Sequence, residues 1–159
     1  MDLRPLAASD APDMFRLLEH DQAGIEQTGS IPWPFTLNDA EAWLTRVTKM
    51  DGVFAILVDG EFAGSCGVTD DPEDEHAAVL GFWVGLPFRG QGIASRAVER
   101  LVKIARMKRR LRVKAEAFPA NTVSARVLEK HGLKRTGIVE RNLPVRGGLR
   151  QSYTYELEL

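Results

Sequence analysis

The spacing of hydrophobic residues changes several times along the chain, and each change predicts an element. Apolar residues recur every three to four positions in four segments, which predicts amphipathic helices: residues 9–21, 37–50, 91–108 and 121–132. Shorter segments rich in β-branched and aromatic residues predict strands: residues 2–7, 53–59, 61–69, 77–86, 110–118, 133–143 and 149–159. This order predicts an α/β fold in which about four helices surround one mixed, mostly antiparallel sheet.

The segments between these elements carry turn signals. Asp59-Gly60 joins two predicted strands and is a typical hairpin turn. The acidic stretch at 70–76 reads as a polar connection, and its Pro72 argues against a calcium loop. We find no internal repeat and no linker, so residues 1–159 are expected to form one domain.

Composition narrows the class of protein. The chain has 159 residues, of which 44% are hydrophobic and 27% charged, as expected for a globular domain with its own core. No apolar run approaches the ~20 residues that span a bilayer, so we expect no membrane partner. The start has no signal-peptide pattern and Cys66 is the single cysteine, which favours the cytoplasm and excludes an intrachain disulfide. We expect Cys66 to be a buried residue and not a nucleophile.

Charge is distributed unevenly although the net charge is only -1. Residues 1–80 contain 16 acidic and 4 basic side chains, whereas residues 81–159 contain 6 acidic and 17 basic ones. The basic half suits an anionic ligand, and the acidic half suits a cationic one if it lines the same cleft. Chance segregation of surface charge explains the pattern equally well. The basic run at 99–114 lacks interleaved aromatic residues, so no nucleic-acid partner is expected.

A glycine-rich turn follows the apolar segment that ends near Pro87. Gly90 and Gly92 let successive backbone N–H groups converge at a helix N-terminus, which is a common anion site. No Lys-Ser or Lys-Thr follows, so a Walker phosphate loop is excluded. A dinucleotide turn has Ser95 in its third glycine position, with Glu116 as its acidic partner, and a plain structural turn stays possible.

A second motif changes the interpretation of this turn. RGQGIA at 89–94 resembles the R/Q-x-x-G-x-G/A signature of the GNAT acetyltransferases, and PANTVSARVLEKHG at 119–132 resembles their P-x-N-x-x-S-x-x-V-L-E-K-x-G pattern. Leu133 stands where phenylalanine is usual. LGFWVGLPFRGQGIA and IPWPFTLNDAEAW further resemble the RimJ/RimL-like branch of ribosomal-protein N-acetyltransferases. The resemblance covers essentially the whole chain.

The resemblance implies a GNAT fold with a splayed central strand pair and acetyl-CoA as cosubstrate. It implies that the turn cradles the pyrophosphate, that the central strand pairs with the pantetheine arm, and that the later helix faces the sulfur. The implied cofactor-binding residues are Phe82, Trp83, Val84, Arg89, Gly90, Gln91, Gly92, Ile93, Ala94, Ser95, Asn121 and Ser124.

The implied reaction is direct transfer of acetyl to an amine. Relatives often carry a glutamate where this chain has Val79, and a tyrosine acid where it has Leu128. The RimL-like branch instead uses the serine three positions after the motif asparagine, so the resemblance implies that Ser124 is the acid for the departing thiolate. The alternative role of Ser124 is helix capping. For the base we consider Glu140 first and Glu116 second, and either can be mere surface charge.

Three functions stay open. A protein N-terminal α-amine is the first choice of acceptor, a polyamine or aminoglycoside is the second, and a non-catalytic acyl-CoA sensor is a third possibility. The protein is expected to be a monomer or homodimer. No metal is expected, because His20, His76 and His131 lack ligand spacing. Three aromatic residues are candidates for either the acceptor cleft or the core: Trp33, Phe35 and Trp43.

Overall fold

The computed structural model describes residues 1–159, which form seven strands and five helices. The strands are β1 (Asp2–Pro5), β2 (Val53–Val58), β3 (Glu61–Asp71), β4 (Asp74–Val84), β5 (Arg112–Ala117), β6 (Lys134–Leu143) and β7 (Gly148–Glu158). The helices are α1 (Ala11–Leu18), α2 (Gln22–Ile25), α3 (Leu37–Val47), α4 (Ile93–Met107) and α5 (Thr122–Lys130). No helix has the length and apolar character that a membrane crossing requires.

All seven strands belong to one sheet with the order β1-β2-β3-β4-β5-β7-β6. Every neighbouring pair is antiparallel except β4 and β5, which are parallel. The predicted α/β fold with a single mixed, mostly antiparallel sheet is therefore confirmed.

Two apolar cores lie against the sheet. One joins α1 and α3 to the sheet through buried side chains such as Met14, Leu18 and Leu44. The other joins α4 and α5 to the sheet around Leu101 and Leu128. Five apolar residues of α4 are buried, and truncating one of them, Leu101, to alanine would cost about 2–5 kcal/mol.

Local sequence signals account for the boundaries. Thr36 caps α3 by accepting the Asp39 N–H at 3.1 Å, while the Asp39 carboxylate accepts the Thr36 N–H at 2.9 Å. The β2–β3 hairpin turns at Asp59-Gly60, where both residues have positive φ, as a tight hairpin turn requires.

The structure differs from the predicted elements in two places. The acidic stretch at 70–76 is not a loop, because β3 and β4 extend through it and leave only a short turn between Asp71 and Asp74. The four-residue helix α2 was not predicted, because a single turn has too few positions to show a helical period.

Part of the uneven charge of the sequence is used in ion pairs within the fold. Acidic residues of the β3–β4 hairpin bind basic residues at or near β5, and the pairs are Asp70–Arg110, Asp71–Lys114 and Asp74–Arg112. These pairs join the acidic half of the chain to the basic half. These three pairs give part of the segregated charge a structural role.

Candidate active site

The central strands β4 and β5 diverge and open the sheet. They pair only at Ala77–Arg112, Ala78–Val113 and Val79–Lys114, although β4 continues to Val84. Residues 80–84 stay bonded to β3 on their other side, so their β5-facing edge has no strand partner. An extended ligand can occupy such an edge as an added strand does.

The first cavity lies at the end of this open edge and has a volume of about 580 Å³. Its walls come from the end of β4, the glycine turn, the start of α4, the start of α5 and helix α2. The lining residues of central interest are Phe82, Trp83, Val84, Arg89, Gly90, Gly92, Ile93, Ala94, Asn121 and Ser124.

The glycine turn presents free backbone N–H groups to the first cavity. Gly90 and Gly92 have φ values of 76° and 74°, a left-handed conformation that glycine adopts without strain. Gly92 is the N-cap of α4 and has no side chain to occupy the amides of the first turn. A 15-residue helix adds its positive dipole end at this point. The turn thus has the geometry and charge of an anion site.

Two residues predicted for this cradle direct their side chains elsewhere. The Gln91 amide donates to the Pro87 carbonyl at 3.3 Å, and the Ser95 hydroxyl lies 2.8 Å from His131 Nε2. Neither residue lines the first cavity. Only their backbone N–H groups are available to a ligand at the turn.

Arg89 is held by protein groups. Its Nε donates to the Val84 carbonyl at 2.8 Å, and its Nη2 donates to the carboxylate of buried Asp21 at 2.5 Å. Asp21 is the N-cap of α2 and also accepts the Gly24 N–H at 3.1 Å. The positive charge that the sequence suggested for the anion site is therefore compensated, and Arg89 attaches α2 to the turn.

Asn121 and Ser124 lie at the start of α5. Asn121 caps the helix, because its side-chain oxygen accepts the Ser124 N–H at 3.2 Å. Ser124 takes part in this cap only through its backbone, which leaves its hydroxyl for other partners. Simple helix capping by the Ser124 side chain is thus ruled out.

A second cavity of about 450 Å³ lies next to the first. It is bounded by α3, the residues after α2 and the open part of the β4–β5 pair. Six residues line both cavities: Gln27, Thr28, Phe82, Trp83, Asn121 and Ser124. The two cavities therefore meet beside Ser124.

Comparisons with known proteins agree with this geometry. A family model described as an acetyltransferase (GNAT) domain matches residues 1–134. The chain belongs to the GNAT acetyltransferase family. Within this GNAT family, an uncharacterized N-acetyltransferase, p20, from Bacillus licheniformis is 28% identical over 107 residues, which are 65% of this chain and 60% of that protein. The matched region thus spans less than two thirds of that relative.

Solved structures share the fold over nearly the whole GNAT chain. A protein from T. thermophilus assigned as an acetyltransferase has a TM-score of 0.85 and 27% identity, covering 98% of this chain and 84% of that one. Mycobacterium smegmatis RimJ in complex with CoA-disulfide has a TM-score of 0.80 and 24% identity, covering 98% of this chain and 80% of that one. At that identity the likeness to RimJ shows a common fold.

The two carboxylates considered as bases lie on opposite faces of the GNAT sheet. Glu116 pairs across strands with Thr154, and Glu140 pairs with Gln151. Cross-strand partners share a face while successive residues of a strand alternate, so positions 151 and 154 face opposite sides. Glu116 lines the second cavity, whereas Glu140 is exposed and lines neither cavity. The structure does not bring Glu140 to the site.

Glu116 is held in place by Arg141. The guanidinium donates to the carboxylate through Nη2 at 2.6 Å and through Nε at 3.1 Å. This hydrogen bond raises the pKa of Arg141, so the guanidinium keeps the charge that binds the carboxylate. Glu116 thus presents an oriented carboxylate at the second cavity.

Cys66 is buried, as predicted, on β3. Only 2% of its surface is exposed, and burial raises the pKa of its thiol to about 12. Because the thiolate is the nucleophilic form, Cys66 is not suited to attack a thioester at neutral pH. All three aromatic candidates belong to or pack against the α1–α3 core, and Trp43 also lines the second cavity.

The residues that sequence reasoning missed lie at one wall of the site. We call residues 21–31 the α2 wall. Ala23 and Gly24 line the first cavity, Gln27 and Thr28 line both, and residues 29–31 line the second. Packing also explains why position 24 is a glycine, because a Cβ there would overlap the Asp21 carboxylate and the Arg89 guanidinium. No motif marks this wall.

Proposed function

We propose that this protein is an N-acetyltransferase that moves an acetyl group from acetyl-CoA to a primary amine, with a protein N-terminal α-amine as the preferred acceptor. The observation that carries the proposal is the meeting of two cavities beside Ser124, at the open end of the β4–β5 pair. One cavity suits a nucleotide-bearing thioester, and the other leaves room for an acceptor.

The first cavity would receive acetyl-CoA. The free amides after Gly90 and the dipole of α4 would bind the pyrophosphate, and the unpaired edge of residues 80–84 would bind the pantetheine arm. This arrangement directs the thioester toward Asn121 and Ser124. When bound, acetyl-CoA supplies the activated acyl group.

The reaction requires a neutral amine, which attacks the thioester carbonyl while the carbon–sulfur bond breaks. The Ser124 hydroxyl donates a proton to the departing thiolate and regains one, through water, from the proton that the attacking amine loses, so the step is balanced in protons and Ser124 ends as a hydroxyl. Glu116 or a water molecule held by it receives the amine proton from the second cavity.

The preference for an α-amine rests on acidity. An α-amine with a pKa of about 7.7–8.0 is largely or partly neutral near pH 7–8, whereas a lysine amine at about 10.4 is almost wholly protonated. Deprotonating the lysine costs roughly 4 kcal/mol at neutral pH. A site whose single cavity carboxylate is already paired with Arg141 suits the less demanding acceptor.

The test is an acetyl-transfer assay that measures CoA thiol release with a panel of acceptors. The panel contains peptides with free α-amines, the same peptides with blocked α-amines and one lysine, polyamines and aminoglycosides. We expect turnover with free α-amines, confirmed by a product mass increased by one acetyl group. Preference for polyamines or aminoglycosides would reassign the acceptor, and acetyl-CoA binding without turnover on any amine would favour a sensor.

A further inference from the structure

Arg146 makes an unusual set of contacts with the α2 wall. It lies in the turn between β6 and β7, and its Nε donates to the Thr28 carbonyl at 2.9 Å. Its Nη2 donates to the Ile25 carbonyl at 2.9 Å and also bonds the Ile31 carbonyl. One guanidinium therefore binds three carbonyls of the α2 wall, one at the end of helix α2 and two in the irregular residues after it.

These carbonyls depend on Arg146 to different degrees. The Ile25 carbonyl also accepts the Thr28 N–H and hydroxyl. The carbonyls of Thr28 and Ile31 accept no backbone N–H, because this segment belongs to no helix or strand. The side chain of Ile31 is buried, so its peptide group has little access to water. Arg146 thus supplies donors that regular structure would otherwise supply.

The contact is not an ion pair. No carboxylate is bonded to Arg146, and burial lowers the pKa of the guanidinium even though Glu26 opposes the shift. Leu143 of the same hairpin packs against the wall, since a Cβ on Gly29 would lie 3.5 Å from its Cδ2. The hairpin therefore fixes the shape of the wall through directional hydrogen bonds and one apolar contact.

The position of the wall explains why its shape matters. Its start is attached to the first cavity by the Asp21–Arg89 pair, and its end forms part of the second cavity. We propose that Arg146 is a positioning residue that holds the end of the α2 wall in the conformation that binds the acceptor amine. This inference rests on the proposed acetyl transfer, and it assigns Arg146 to acceptor binding and not to acetyl-CoA binding.

The kinetic test compares Arg146→Ala, Arg146→Lys and the control Arg150→Ala. Arg150 lies on β7, and its guanidinium stacks on the Phe118 ring and not on the wall. We expect Arg146→Ala to raise the acceptor KM at least tenfold while the KM for acetyl-CoA changes less than twofold. Arg146→Lys keeps the charge but presents one nitrogen where the guanidinium uses two, so its acceptor KM should also rise, by about threefold or more.

Backbone hydrogen exchange gives a readout that does not need turnover. Amides of residues 23–31 should exchange at least ten times faster in Arg146→Ala than in the wild type, and at the wild-type rate in Arg150→Ala. If Arg146→Ala does not fold, Arg146→Lys serves in the same measurements. Unchanged exchange in the folded Arg146 variants would overturn the inference whether or not the protein acetylates amines.

The remaining outcomes are also decisive. An acceptor KM that stays at the wild-type value in Arg146→Lys, or an equal rise of both KM values in Arg146→Ala, would overturn the positioning role. A wild-type protein that turns over no amine would refute the proposed function and the acceptor role together. Faster exchange of residues 23–31 would in that case still establish Arg146 as the residue that orders the wall.

Discussion

Arg89 Nη2 lies 2.5 Å from Asp21 Oδ2 and joins two elements that are 68 residues apart in the chain. Asp21 is almost fully buried, whereas 37% of the Arg89 side chain is exposed. The same arginine binds the Val84 carbonyl at the end of β4. Arg89 therefore connects the central strand, the glycine turn and the α2 wall, and it also lines the first cavity.

Asp21→Asn should destabilise the fold. The amide can still accept the Gly24 N–H, but it leaves the Arg89 guanidinium without its counter-ion. Because Arg89 is partly solvated, we expect a loss of about 1–3 kcal/mol, below the usual cost of breaking a fully buried pair. Urea unfolding measures this loss. The control Asp13→Asn breaks the exposed Asp13–Arg16 pair and should cost less than about 0.5 kcal/mol.

Gly92→Ala should weaken acetyl-CoA binding at least tenfold. The residue has φ 74°, so alanine is strained there by about 1–2 kcal/mol. A Cβ at Gly92 meets no protein atom within 4 Å and instead enters the space offered to the ligand. Gly60→Ala is a matched control, since Gly60 has φ 80° and open space but lies in the β2–β3 turn. Calorimetric titration with acetyl-CoA measures the affinity of each variant. Equal affinities in both variants would contradict a role of Gly92 in binding the pyrophosphate.

Ser124→Ala should lower kcat at least tenfold and leave acetyl-CoA affinity within about twofold. Asn121 still caps α5 through the backbone of residue 124, so the helix keeps its start. The missing hydroxyl removes the proton donor for the thiolate. Steady-state rates with the best acceptor and a binding titration give the two numbers. Full activity in this variant would mean that another group, or water, protonates the thiolate.

Glu116→Gln and Glu140→Gln should separate the two carboxylates. Glu116 lines the second cavity, so its loss should reduce kcat/KM for the amine by at least tenfold. Glu140 faces away from both cavities, so its variant should retain wild-type activity. The comparison needs only initial rates at several pH values. The reverse order of effects would show that the acceptor binds outside the second cavity.

Cys66 should resist alkylation in the native protein. Its pKa of about 12 leaves a very small thiolate fraction at pH 8, and only 2% of the residue is exposed. Iodoacetamide should modify it quickly in 8 M urea and slowly without urea, as followed by intact mass. Rapid modification of the folded protein would indicate that β3 opens at the second cavity.

Most of the fold could be predicted from the chain because its elements are long and their signals local. The four longer helices and all seven strands follow from periodicity and turn chemistry. The splayed β4–β5 pair was expected only from the family resemblance, because where two strands separate depends on contacts across the sheet. The glycine turn could be predicted from the sequence because a backbone with positive φ favours glycine, so the residue type itself marks the turn.

The site was only partly predictable, and the missing parts are long-range contacts. Ser124 and Asn121 stand in a motif, but Asp21 and Arg146 stand in none. Their partners lie 68 to 121 residues away, and no local pattern encodes such distances. Glu140 illustrates the opposite error, since its region was right while its face of β6 depended on a register that only the sheet defines.

The contact between Arg146 and the α2 wall also bears on the order of folding. Its three hydrogen bonds close chain segments of 115 to 121 residues, so the entropy of loop closure delays their formation. The β3–β4 hairpin pairs residues much nearer in the chain and can form earlier. During synthesis the α2 wall can therefore gain these hydrogen bonds only after residue 146 has left the ribosome, so the walls of both cavities stay incomplete until the last hairpin is made.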